Sequence, residues 1–189
     1  MIETSTIIEA IYYILRKIKK ADKIKLVKLI YLADKYHLIL YGRTITNDDY
    51  YAMEHGPVGT TVKDVLSFDE FNVSKKELRY ASSLIEKIDQ NNFKVRSDTK
   101  KAFDMLSDTD KEALDFVIEK FGKMSSLKLR DYTHKYPEWY QYENLFKNKR
   151  TKRERIDTRE LLSTFKDDFL KMPDKHIRES EKILTGKFD

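Results

Sequence analysis

The sequence predicts a mainly α protein that carries a small strand patch. Three observations lead there. Gly (5) and Pro (3) are scarce in a chain of 189 residues, which disfavours sandwich and linker architectures. Apolar residues recur at three- and four-residue spacing along most of the chain. One short stretch, residues 93–95, switches to a period of two after an Asn-rich turn. Charged residues make up 37%, but 12 Tyr and 10 Phe supply bulk for a core, so disorder is not expected. The length suits one domain, or one domain with an appendage.

The first helix is expected over residues 4–19. Ile7, Ile11, Ile14, Leu15 and Ile18 share a stripe there, and Thr4 or Thr6 can cap it. Asp22 can cap a second helix with Leu26, Leu29, Ile30, Ala33 and either His37 or Leu40 on its stripe. Gly42 can end it in the left-handed conformation. A short third helix is expected from Thr46, Asn47 or Asp48 through Tyr50, Tyr51 and Met53. His55-Gly56-Pro57-Val58-Gly59 then breaks the chain. Pro57 can open a helix over 58–67 with Val58, Val62, Val65 and Leu66 inward. Residues 71–97 read two ways. Leu84, Ile85 and Ile88 can extend a helix, or 80–88 and 93–95 can be strands joined across Asp89-Gln90-Asn91-Asn92. A hairpin or three-stranded patch is favoured, because Phe93 and Val95 alternate with Lys94 and Arg96.

Ser107 or Asp108 can cap a strong helix through Ala113, Leu114, Phe116, Val117, Ile118 and Phe121, closed by Gly122. Ser125 or Ser126 starts the next, with Leu127, Leu129 and Tyr132. Pro137 opens a short helix with Trp139 and Tyr140 in its first turn. Residues 143–155 read as a charged bridge. Asp157 can cap a last helix with Leu161, Leu162, Phe165, Phe169 and Leu170 as its stripe. After Pro173 few apolar residues remain, so the tail 174–189 is expected to fray or dock weakly. The expected organisation is a domain over 1–143, then a basic linker, a C-terminal helix and a polar tail over 144–189.

The net charge of +5 is concentrated in one run, residues 147–155, KNKRTKRER, with six basic residues against one acidic. Lys147, Lys149, Arg150, Lys152, Arg153 and Arg155 can meet an acidic partner or nucleic acid. No aromatic residue interleaves them for base stacking, and a solvated linker is the simpler reading. No apolar run is long enough for a membrane helix. Glu3 and Glu9 precede any basic residue and no cleavage-site pattern follows, so no secretory signal is expected. The absence of Cys excludes disulfides and thiolate chemistry, and the expected compartment is the cytoplasm. His37, His55, His134 and His176 lack metal-ligand spacing. There is no GxSxG elbow, and GPVG lacks the Lys-Ser or Lys-Thr pair of a phosphate loop. No catalytic residue, metal or cofactor is assigned. The two Tyr-rich stretches are either core edge or interface anchors. On the second reading the partner contacts are Tyr50, Tyr51, His55, Tyr136, Trp139, Tyr140, Phe165 and Phe169.

Residues 25–66 contain Lys25-Leu26-x-Lys28-Leu29-x-Tyr31, then Tyr41-Gly42, Tyr50 and Gly56-Pro57-Val58. Further on come Phe121-Gly122, Ser125 or Ser126, Leu129, Thr133-His134 and Trp139. This pattern resembles the Panacea domain, the SocA-like antitoxin family, over about residues 5–143. The family motif maps onto Lys25, Leu29, Tyr31, Gly42, Tyr50, His55, Gly56, Pro57, Val58, Thr133, His134 and Trp139. The resemblance implies a compact multi-helix fold with a small strand element and no enzymatic activity, metal or cofactor. It implies an antitoxin that binds a cognate toxin encoded by a neighbouring gene. Two alternatives remain: an adaptor that delivers a toxin to a AAA+ protease, and a DNA-binding regulator using residues 147–155. No clean helix-turn-helix supports the last. Two departures stand out. Ala52-Met53-Glu54-His55 replaces the Ala-Trp-x-Tyr common in the family, and residues 144–189 lie beyond its pattern.

Overall fold

In a computed structural model describing residues 3–97 and 100–187, helix α1 (Thr4–Ile18) leads through strand β1 (Lys20–Asp22) into α2 (Lys23–Tyr41). Asp22 caps α2 by accepting from Lys25 N, and Gly42 ends it at φ +71°. Thr4 and Thr6 lie inside α1 rather than capping it, and Glu3 takes the N-cap position without a side-chain bond. The expected single stripe of α2 is an understatement. Its residues are buried on all sides from Leu26 to Ile39, including Lys28, Asp34, Lys35 and His37. A helix enclosed all round is the core axis of its domain, and each buried polar side chain on it needs a partner.

The expected third helix is instead a strand. Strand β2 (Tyr50–Met53) alternates buried and half-buried positions and pairs antiparallel with β3 (Gly56–Gly59) across the turn Glu54-His55. Aromatic residues suit a half-buried pleat, and Gly56 supplies φ +101° at the turn. Pro57 and Val58 lie in β3, so helix α3 begins later than expected, at Thr60–Ser67. Gly59 offers α3 no side-chain cap, and Thr61 N and Val62 N donate instead to the carboxylate of Asp48, each at 3.0 Å.

Helix α4 (Lys75–Leu84) takes up Tyr80, which the hairpin reading placed in a strand. The hairpin itself is present as β4 (Ile85–Lys87) and β5 (Asn92–Val95), and β1 completes a sheet of order β1-β5-β4. Helix α5 (Asp108–Phe121) starts at a full capping box between Ser107 and Asp110. Ser125 caps α6 (Ser126–Thr133), and Pro137 opens α7 (Pro137–Tyr140).

The last third departs most from the sequence reading. The charged bridge contains α8 (Glu143–Lys147) and a strand, β6 (Arg153–Arg155). Tyr51 pairs with Arg155 and Met53 with Arg153, giving a second sheet of order β3-β2-β6. The helix expected after Asp157 is only a 3₁₀ turn, Thr158–Leu162, that ends at extended Ser163. Lys35 Nζ donates to Leu161 O at 2.8 Å, so that carbonyl serves a buried ammonium instead of a continuing helix. The tail forms α9 (Asp174–Thr185), which packs on α2, although residues 188 and 189 lie outside the described chain. Ser180 Oγ donates to Ile39 O at 2.6 Å, capping a carbonyl in the last turn of α2. A narrow stripe, Ile177, Ser180 and Leu184, suffices to dock it because Ser180 is small.

The fold is thus mainly helical, with two small antiparallel sheets on one core.

Candidate functional site

The two Tyr-rich stretches meet inside the protein. Tyr31 packs edge-on against Tyr50 (5.6 Å between ring centroids) and Tyr136 (5.9 Å), and Tyr136 against Tyr132 (6.0 Å). Buried carboxylates bind their hydroxyls. Asp34 accepts from Tyr50 Oη at 2.6 Å and Ile45 N at 2.8 Å, and burial pushes its carboxyl up to about 6. Glu138 accepts from Tyr31 Oη at 2.5 Å and Lys35 Nζ at 2.6 Å. Asp168 accepts from Tyr132 Oη at 2.8 Å and Tyr136 Oη at 2.9 Å.

This placement divides the residues read as partner contacts. Tyr50, Tyr136 and Trp139 are buried, with their polar atoms committed to internal bonds. A partner cannot reach their rings without opening the core. Phe165 is half-buried, edge-on to Tyr132. Tyr51 is half-buried, with the Arg153 guanidinium 5.0 Å from its ring centre. His55, Tyr140 and Phe169 are exposed.

The motif residues from both halves converge on the β2–β3 turn. Lys28 is buried and donates to Pro57 O at 2.7 Å. Burial pushes its amine down to about 7. A Cβ on Gly56 would stand 2.6 Å from Lys28 Nζ and 3.0 Å from Thr133 Oγ1, so only glycine lets α2, β3 and α6 meet here. His134 lies flat on Trp139, 3.5 Å between ring centres and 9° from parallel. Its burial, then the charges of Lys28 and Arg130, push the imidazole down to about 4, so it is neutral at pH 7. The His55 main chain pulls weakly the other way, while Trp139 Nε1 donates to Met53 O at 2.6 Å. Both sides of the turn are therefore pinned to α6 and α7. Lys25, Leu29, Tyr31 and Gly42 sit elsewhere along α2 and serve its packing: Lys25 Nζ, for instance, donates to Met124 O at 2.9 Å.

Beside the turn opens a cleft of about 690 Å³ floored by His134, Trp139 and Phe146. Lys147, Lys149 and Lys152 rim it, with Glu54 and Glu143 between them. Across Glu54 and Lys152 it adjoins a second pocket of about 300 Å³, walled by Ile24, Val27, Met53 and Val58 and edged by Lys23 and Lys63. The rest of the basic run points elsewhere: Arg155 pairs with Asp49 at 2.8 Å, Arg153 covers Tyr51, and Arg150 is exposed outside the cleft. Phe146, Glu54, Lys23 and Lys63 were not identified from sequence. The legible signal was Phe146, an aromatic directly preceding the basic run.

Among the described residues no group of His, Asp and Glu is placed to hold a metal ion, and no helix is long and apolar enough to cross a membrane. A family model described as antitoxin SocA-like, Panacea domain, matches residues 26–140, from α2 through α7. No curated protein and no solved structure matches the chain. The match spans more than half of the sequence and contains the whole β2–β3 turn with the α6–α7 residues that pin it, and the chain belongs to the SocA-like Panacea domain family.

Proposed function

We propose that this protein is an antitoxin that neutralises a cognate toxin by binding it directly. The observation that carries the reading is the match to an antitoxin family across α2 to α7. The architecture supports a binding role. The motif side chains are spent on internal bonds that hold one turn rigid, and the open cleft beside that turn presents charge and apolar surface. Rigid presentation of a surface lowers the ordering cost of association.

The test is co-expression with each neighbouring open reading frame, scored by growth and by affinity co-purification. The expected result is a neighbour that is toxic alone, harmless with this chain and co-purified with it. Absence of any toxic, co-purifying neighbour overturns the reading. Rescue accompanied by ATP-dependent loss of the toxin assigns the chain instead as an adaptor for a AAA+ protease.

A further inference from the structure

We propose that the cleft and its adjoining pocket form one two-lobed groove that seats an acidic protein segment bearing an aromatic or large aliphatic anchor. This rests on the direct-binding reading above and names the chemistry of the bound segment.

The lobes share Glu54 and Lys152, so a single extended segment can cross both. Lysines outnumber acids along the groove. Glu143 is already paired with Lys147 at 2.9 Å, and Lys63 with Asp64 at 3.7 Å. Lys149 and Lys152 have no ion-pair partner among the described residues. The cations also crowd one another. The Lys23 amine is pushed down by burial and then by Lys63 and Lys87, and the charges of Lys28 and Arg130 help to keep His134 neutral. A carboxylate entering the groove relieves this repulsion. The second lobe is aliphatic and adds a place for an apolar side chain, where burial contributes roughly 25 cal/mol per Å².

Nucleic acid suits the groove less well. Base stacking needs open aromatic faces. Trp139 is 3% exposed, with His134 stacked at 3.5 Å and Phe146 at 6.0 Å, so its faces are taken. The walls of the second lobe, Ile24, Val27, Met53 and Val58, suit an apolar side chain better than a phosphate backbone.

The probe is a displayed library of random dodecapeptides panned on the full chain, with selected peptides then titrated by fluorescence anisotropy. The expected winners carry two or more Asp or Glu around one aromatic or large aliphatic residue. Their binding should weaken at least tenfold in K149E/K152E, whose side chains are exposed, and also in Ile24→Asp, which strikes the apolar lobe. K75E/K76E, on the outer side of α4, should bind like the parent. Winners without acidic bias, or equal binding by K149E/K152E, overturn the proposal. So does tight, steeply salt-dependent binding of a 20-base-pair duplex with no peptide selected. A toxic neighbour that binds parent and K149E/K152E equally refutes the groove and leaves the antitoxin reading standing. Acidic winners with no toxic neighbour do the reverse.

Discussion

Replacing Glu138 by leucine removes the carboxylate that accepts from Tyr31 Oη at 2.5 Å and Lys35 Nζ at 2.6 Å. Both charged side chains are fully shielded from solvent. The ammonium left behind keeps only Leu161 O, at 2.8 Å, and the Tyr136 ring, 4.1 Å from its nitrogen. Breaking such a buried pair from one side costs about 3–5 kcal/mol. Lys35→Met should cost a similar amount, since it leaves the carboxylate buried with one hydroxyl donor. The double variant removes both charges. Losing a buried pair altogether can gain about 1–4 kcal/mol. Against that, Leu161 O and Tyr31 Oη each lose a partner, at about 1–3 kcal/mol apiece. The double variant should therefore fall between about 2 kcal/mol more stable and about 5 kcal/mol less stable than the parent, short of the roughly 6–10 kcal/mol that the two singles add up to. The assay is urea unfolding followed by the fluorescence of Trp139, the only tryptophan in the chain. Each single variant should also melt about 6–20 °C lower. Effects that add within about 0.5 kcal/mol would refute the reasoning, because they would show the pair uncoupled.

Three further outcomes follow from the same geometry. Lys28 has a folded-state amine pushed down to about 7, below its ordinary 10.5, so the folded chain holds fewer protons between those values. Stability contributed by this group is therefore lost as pH falls from 10.5 to 7. Between pH 7 and 9.5 the unfolding free energy should rise with pH by up to about 1.4 kcal/mol per unit, and Lys28→Met should flatten that slope. Gly42→Ala should destabilise by more than about 1 kcal/mol in thermal unfolding. Gly42 has φ +71°, and the new methyl would meet Ile183 Cβ at 2.5 Å, so α9 should become the first segment to exchange its amides. Ser180→Ala should cost about 1–3 kcal/mol in urea unfolding, because it strips the partner from the buried Ile39 carbonyl.

Where an element is decided within four residues, it could be read directly from the sequence. The capping box of Ser107 and Asp110 starts α5, Asp22 starts α2, and Gly42 ends it. Asp89 binds Asn91 N at 2.8 Å and Asn92 N at 2.9 Å, which sets the β4–β5 turn by itself. The motif residues on α2 and α6–α7 were legible as a pattern too. Their meeting was not, because Lys28 and Thr133 approach the same glycine from 28 residues before it and 77 residues after it, and nothing local records that approach. Residues 50–53 illustrate the same limit. Their helix-compatible sequence became a strand because Tyr51 and Met53 found Arg155 and Arg153 as ladder partners and Trp139 took the Met53 carbonyl. The 3₁₀ turn stopped short because Lys35 claimed Leu161 O, and the polar tail became α9 because α2 offered it an unsatisfied carbonyl and a glycine gap. The sequence by itself determined the helical class, the caps of α2, α5 and α6 and one hairpin, since these depend on neighbours along the chain. Only the tertiary structure decided that Tyr31, Tyr50, Tyr132 and Tyr136 are core, that Lys147, Lys149 and Lys152 rim a cleft, and that the tail docks. Those outcomes depend on buried polar groups finding partners between segments, and such partners exist only once the chain has packed.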